Sequence, residues 1–453
     1  MGRKSHARAL SVWINGKLAA EWRIPARGDA EFQYDSNWVG SEEGRPLSLS
    51  LPFSLDNAVI KGKPVDCYFD NLLPDSELIR KRLQDRFHTT TRSSFELLAE
   101  IGRDCIGAVQ LLPTGEQPKY LKRIHSRPLT EAEIETALIQ TVSARRFAAP
   151  LADDDFRISI AGAQEKTAFL KHDGKWCRSL GATPTTHIFK LPMGLVGGMQ
   201  ADMTTSVENE WLCARILAHY GLPVAHCEIG QFGSQKALVV ERFDRRLHSS
   251  GKYWLRLVQE DFCQATATPA SKKYERDGGP GMLDIAKILR GSVNRDDDLT
   301  CLLKAQLLFR MLAATDGHAK NFSIRILNQG RYQLTPLYDV ISIWPIIGSG
   351  VKKISWHNAK LAMSIRGKNK HYLVKDIQRR HFNQTAVRCG LGETAEPLIK
   401  EILAATPRVI AAVQTELPKG FPQHVLDAIL NGLANSAKQL EAVPAKFVAA
   451  GKT

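Results

Sequence analysis

The sequence predicts an α+β fold in two lobes, a mixed α/β amino-terminal lobe and a mostly helical carboxy-terminal one. Alternating apolar and polar runs closed by short polar turns recur near residues 15, 233 and 329, the mark of antiparallel hairpins. From Glu393 to about Ala437 the apolar spacing is helical almost throughout. In the second half, "DDDLTCLLKAQLLFRMLAAT" is apolar on most of its faces, as a helix buried inside a lobe would be.

The elements follow in order. "SVWINGKLAAEW" alternates on both sides of Asn15-Gly16, a strong short hairpin signal. "FDNLLPDSELIRKRLQDRF" sets Pro74 and Asp75 ahead of a helical pattern, and "SFELLAEIGRDCIGAVQLLP" adds a helix that breaks at Gly102 before a strand. "RPLTEAEIETALIQTVSARRFAAPLADDD" is helical and then loses its pattern, so it reads as the connector that closes an α+β unit of residues 1–150. "TTSVENEWLCARILAHYGL" reads as a helix capped by a Thr205–Glu208 box and stopped by Gly221. "CEIGQFGSQKALVVERFDRR" turns at Gly233-Ser234, and "FSIRILNQGRYQLTP" turns at Asn328-Gln329-Gly330. Residues 268–281 form a long loop and 345–350 a short one.

The bulk numbers exclude several classes. With 453 residues, 43% hydrophobic and 24% charged, the chain has ordinary globular composition and should hold two or three packed units. Its eight cysteines are scattered, with no CxxC pair, which predicts a reduced, cytoplasmic protein without a structural metal. "MGRKSHARALSVWING" lacks the apolar core of a signal peptide, and no run reaches membrane-span length, so no membrane association is expected. Lys plus Arg exceed Asp plus Glu by 61 to 47, a formal charge of +14, which favours polyanionic company. The densest basic run, residues 365–381, reads as either a phosphate-facing surface or a solvated helical face.

"AATDGHAKNFSIRIL" crowds Asp316, Gly317, His318, Lys320 and Asn321 together directly after the buried helix. Asp-Gly is a common turn, but the order here is buried helix, Asp-x-x-x-x-Asn loop, hairpin, then Asp339 in "LYDVIS". Phosphoryl transfer of the protein-kinase type needs that order: a loop Asp to orient the attacking hydroxyl, an Asn five residues on to hold Mg²⁺, and a later Asp to bridge metal and phosphates. Upstream, Lys190 ends the β-prone run "THIFKLP", and Glu210 shares a helix face with Cys213, Ala214 and Leu217. A carboxylate facing a core needs a cation, and Lys190 is the candidate partner for that ion pair. "ISIAGAQEKTAFL" supplies one Gly rather than a GxGxxG, yet Ala161, Gly162, Ala163 and Gln164 could cover phosphates with backbone N–H groups. Glu241-Arg242-Phe243 is either a segment that meets adenine or an ordinary strand end. On this reading 151–250 is the nucleotide-binding part, and 251–453 is the helical lobe carrying the catalytic loop and the metal-binding Asp.

The chain also resembles the HipA family of bacterial Ser/Thr kinases, the toxin halves of toxin–antitoxin pairs. "RPLSLSLPF", "FDNLLPDS", "LLAEIGRDCIGAVQLLP", "DFRISIAGAQEKTA", "PTTHIFKLP", "SVENE", "VVERFDRR", "QEDFCQ", "KYERDGGPG", "ATDGHAKNFS" and "LTPLYDVIS" carry the likeness, from about residue 45 to 342. The resemblance implies Asp316 as catalytic base, Asn321 and Asp339 as Mg²⁺ ligands, and Lys190 on the ATP phosphates. It places His318 and Tyr338 near the nucleotide, Glu241 and Phe243 at the adenine, and Ser159 as an autophosphorylation site that switches the enzyme off. It further implies glutamyl-tRNA synthetase as target, growth arrest and persistence as outcome, and a HipB-like helix-turn-helix antitoxin with which the chain co-represses operator DNA. A non-catalytic co-repressor and a small-molecule kinase on the same fold stay open as alternatives.

Overall fold

The computed structural model describes residues 8–142, 158–162, 164–198 and 200–442. The chain forms two compact units that interleave along the sequence. One comprises Met1–Leu191, Gly230–Lys272 and Ser323–Tyr332; the other comprises Pro192–Ile229, Lys273–Phe322 and Gln333–Thr453.

The first unit is built on two sheets. Strands Arg8–Ile14 and Lys17–Ile24 form the expected hairpin, with Asn15 (φ 48°) and Gly16 (φ 84°) both left-handed at the turn, the backbone that a two-residue loop between right-twisted strands requires. Val109–Pro113 pairs with the outer side of the first strand, and Glu31–Tyr34 and Ile60–Lys61 extend the other edge, all antiparallel. Alternation puts Leu10, Val12, Ile14, Ala20 and Trp22 inside, where Trp22 stacks on Phe69 with ring centroids 3.8 Å apart. Phe69 comes from the helix Lys63–Asp70, and Ser94–Ile101 adds Leu97, Leu98 and Ile101 to the same core. That second helix stops at Gly102, as its sequence predicts.

The second sheet has, in order, Gln235–Glu241, His187–Lys190, Lys166–His172, Lys175–Ser179 and Ser126–Pro128. Helix Glu131–Val142 lays Ile134 and Leu138 against Phe169, Phe189 and Val239. Residues 143–157, where the connector reading placed a loss of pattern, lie outside the described residues.

An ionic knot ties the "GRDC" and "ERFDRR" segments together. Asp104 receives Arg242 (3.2 Å), Arg245 (2.9 Å) and Arg256 (3.1 Å), while Asp244 receives Arg242 (2.8 Å) and the backbone N–H of Gly107 (2.7 Å). Burial alone would raise the Asp104 carboxyl, but the guanidiniums of Arg245, Arg242 and Arg256 overcome it and hold it well below the usual carboxylate range. The consequence is positional, because Asp104–Cys105 is the strand that pairs in parallel with Ile158–Ser159.

In the second unit, helix Arg295–Leu312 buries 14 of its residues and carries Asp296, Asp297 and Asp298 in its first turn, where the helix dipole favours negative charge. Helices Ser206–His219, Met282–Leu289, Arg379–Cys389, Glu396–Thr415 and Gln423–Ala442 complete its frame.

Two expectations need correcting. Thr205 makes no capping bond, because its backbone (φ −99°, ψ 21°) is not the extended one a side-chain cap needs, and Glu208 is buried instead. The basic run 365–381 is not a helical face: it includes the end of strand Lys360–Arg366, strand Lys370–Leu373 and the start of a helix. Within it Arg379 is buried and bonded to Glu396 (2.9 Å through Nε), which removes it from any phosphate-facing role. The long loop 268–281 contains 3₁₀ turns at Ala270–Lys272 and Glu275–Asp277. All eight cysteines are buried and none is in a disulfide, and among the described residues no helix is long and apolar enough to cross a membrane.

Candidate active site

The buried helix ends at Leu312, with Ala313 left-handed (φ 47°), and delivers Thr315 and Asp316 to the surface. The turn is tight because Gly317 lies on the helix it has just left. A Cβ there would stand 2.5 Å from the Phe309 ring, so a side chain would have to displace the loop. His318 donates its backbone N–H to the Asp316 carbonyl (2.7 Å), and the short 3₁₀ turn Ala319–Asn321 follows.

Asn321 joins the two halves of the site. Its Nδ2 donates to the Asp316 carbonyl at 2.9 Å and to the Asp339 carbonyl at 3.5 Å. The Tyr338 hydroxyl adds a second tie, donating to the Lys320 carbonyl at 2.9 Å. Asp339 itself is left-handed (φ 62°), a conformation that costs a non-glycine residue about 1–3 kcal/mol and that clusters at functional positions. Asp316, Asn321 and Asp339 are therefore one hydrogen-bonded assembly.

The Asp316 side chain is 62% exposed, with Oδ1 accepting from the Tyr274 hydroxyl at 2.6 Å and Oδ2 3.9 Å from His318 Nε2. His318 is only 3% exposed, and its ring meets Tyr274 edge-on. Beside Asp316 opens a pocket of about 190 Å³ lined by Tyr274, Arg276, Thr315, Lys360, Leu361 and Ala362.

The donor set fits Mg²⁺. With Nδ2 committed to two carbonyls, the Asn321 amide is turned so that Oδ1 is its remaining ligand atom. One amide oxygen and one carboxylate suit a hard cation that keeps water and phosphate oxygens in its shell. Among the described residues no group of three or more His, Cys, Asp or Glu could hold a metal ion.

The remaining residues fall as follows. Lys190 is buried at the end of its strand, directly across from Lys166 on one neighbour and Leu238 on the other. Gly162 has φ 111°, an angle L side chains rarely adopt, and its carbonyl accepts from the Asp75 N–H (3.0 Å). The side-chain amide of Gln164 donates to the Leu191 carbonyl (2.5 Å), and Ala163 lies outside the described residues. At the end of strand Gln235–Glu241, Glu241 is exposed, Arg242 turns inward to the ionic knot, and Phe243 is half-buried with its carbonyl held by Arg325 (2.7 Å). Glu210 belongs to the second unit and is buried on Ser206–His219. Ser159 stands opposite Cys105 in the two-residue parallel pair.

Sequence reasoning missed two residues here. Tyr274 is 42 positions from Asp316, and no spacing rule links them. Lys166 could have been found, because it lies at the exit of the small-residue turn and enters the strand next to that of Lys190.

The chain matches known families and proteins over much of its length. A model described as HipA-like C-terminal domain matches residues 158–410, and one described as HipA N-terminal domain matches 10–112. The putative kinase Y4mE of Sinorhizobium fredii is 33% identical over 339 residues, 74% of this chain and 77% of that protein. The serine/threonine-protein kinase toxin HipA of Shewanella oneidensis is 30% identical over 348 residues, 74% of this chain and 75% of its own length. In a solved complex with HipB and operator DNA, the S. oneidensis HipA matches with a TM-score of 0.76 at 23% identity, over 95% of this chain and 97% of that one, a likeness of fold. By the family model that spans residues 158–410 and by these relatives, the chain belongs to the HipA family, with its kinase-like α+β fold and its protein kinase class.

Proposed function

We propose that this chain is an ATP- and Mg²⁺-dependent protein serine/threonine kinase acting as the toxin of a type II toxin–antitoxin pair. The observation that carries the reading is the Asn321 side chain, whose amide holds Asp316 and Asp339 together at kinase spacing. Bound ATP supplies the γ-phosphoryl group, and Mg²⁺ offsets the charge that builds on its oxygens. Asp316 orients a serine hydroxyl, work worth roughly 10²- to 10⁴-fold when a general base is well placed. Asn321 and Asp339 would hold the metal. Lys190 and Lys166, opposite one another on adjacent strands, leave the sheet on one face and concentrate two positive charges for phosphate. Ala161, Gly162, Ala163 and Gln164 cover the phosphates, Glu241 and Phe243 meet adenine, and His318 and Tyr338 lie near the nucleotide. By function the chain divides into 1–150, 151–250 and 251–453.

Ser159 is the proposed autophosphorylation site. A phosphoryl group adds nearly two negative charges to a segment meant to cradle phosphates, so repulsion opens it and switches the enzyme off. The proposed target is glutamyl-tRNA synthetase, and the proposed partner is a HipB-like helix-turn-helix antitoxin. With that partner the chain sits on operator DNA, in keeping with its charge of +14.

The test is transfer of labelled phosphate from ATP to purified glutamyl-tRNA synthetase. Phosphoserine in the synthetase and loss of tRNA charging with wild type, but with neither Asp316→Asn nor Asp339→Ala, is the expected result. An unmodified synthetase rejects that target; label passing to an added metabolite and to no protein rejects protein kinase activity.

A further inference from the structure

The segment "KYERDGGPG" has no part in the reaction as described, yet it meets the proposed base. Tyr274 donates its hydroxyl to Asp316 Oδ1 at 2.6 Å. Its ring stands edge-on against buried His318, centroids 5.1 Å apart at 82°, and Lys273 and Arg276 lie 5.6 and 5.4 Å from the ring centre.

The next residue anchors this placement. Glu275 is buried, and its carboxylate accepts from the Ser364 N–H (2.6 Å), the Ser364 hydroxyl (3.0 Å) and the Lys370 ammonium (3.0 Å). Gly281 closes over that carboxylate so tightly that a Cβ would overlap it. These contacts hold the backbone next to Tyr274 and so set where its hydroxyl lies.

A carboxylate on a surface loop rotates about two bonds, and either oxygen can face the acceptor. We infer that Tyr274 is a positioning residue for phosphoryl transfer: its hydroxyl occupies Oδ1 of Asp316 and so presents Oδ2 to the incoming serine. The tyrosine keeps its proton throughout and touches neither ATP nor acceptor. Glu275 acts one step further back, holding Tyr274 in reach. The inference rests on Asp316 being the base.

The experiment is a double-mutant cycle on the full chain. Phosphate transfer from γ-labelled ATP to dephosphorylated casein and to the chain itself is measured for wild type, Tyr274→Phe, Asp316→Asn and the double variant. Phenylalanine keeps the ring contact with His318 and removes only the donor. A hydrogen bond to a charged group sets the expected loss in kcat at about ten- to a hundredfold, with KM for ATP unchanged. In the Asp316→Asn background the same substitution costs nothing further. A fluorescent ATP analogue binds wild type and Tyr274→Phe equally, which separates positioning from misfolding. If Asp316→Asn turns over like wild type, the base assignment falls and this inference with it. If Asp316→Asn is inactive while Tyr274→Phe equals or exceeds wild type, or if the two losses add in the double variant, this inference alone is overturned.

Discussion

Glu260 shows how far one buried side chain can bend the pH dependence of the fold. Its carboxyl accepts from the Ser48 hydroxyl and from the Leu49 N–H (2.8 Å), fully enclosed, and burial pushes it up to about 8 from an ordinary 4.5. Between those two values only the folded chain keeps the proton. The stability this group contributes is complete below about pH 4.5 and drains away as the pH climbs to 8, by about 1.4 kcal/mol per unit. Glu260→Gln, which cannot ionise, is expected to gain on wild type in thermal melts from pH 5 to 8, by about 2–4 °C per kcal/mol, with a constant gap above. Equal slopes for the two proteins would refute the shift. Asp104 acts in the opposite direction, since Asp104→Ala leaves three buried arginines short of a counter-charge. Urea unfolding should register a loss of about 3–5 kcal/mol, as for other buried pairs broken on one side. At Gly317 the expectation concerns activity: alanine there meets Phe309, so phosphate transfer should fall at least tenfold while the melting point moves little.

Elements that announce themselves locally were legible in the sequence, and those set by contact were not. The Asn15-Gly16 hairpin, the Gly102 stop, the turn at Gly233 and the buried helix all follow from residues within a few positions of each other. The Thr205 cap fails because capping depends on backbone angles that tertiary packing decides, and the chain enters this helix with Ser206 already accepting from the Met193 N–H (2.9 Å). Thr205→Ala should therefore cost under about 0.5 kcal/mol. Asp261→Ala, which breaks a formed capping box with Gln264, should cost about 1 kcal/mol or more in the same denaturation assay. The basic run misleads for a related reason. Its charges look alike in sequence, yet Arg379 is committed to Glu396 inside the fold while Arg380 remains exposed.

Across the whole molecule, the order of Lys190, Asp316, Asn321 and Asp339 supports the proposed function because phosphoryl transfer uses chain segments in a set sequence; of these, Asp316, Asn321 and Asp339 are tied together by hydrogen bonds. Tyr274 was not legible in the sequence, since its link to Asp316 exists only after residues 42 apart are folded together. The same holds for the ionic knot that supports the Ser159 strand, whose members run from Asp104 to Arg256. The central claim is that this chain transfers phosphate from ATP to protein serines through Asp316, and its most direct test is a phosphoproteome of cells expressing wild type or Asp316→Asn. New phosphoserine peptides, with growth arrest, in the wild-type culture alone are the predicted result; phosphoproteomes that do not differ between the two cultures would contradict the account.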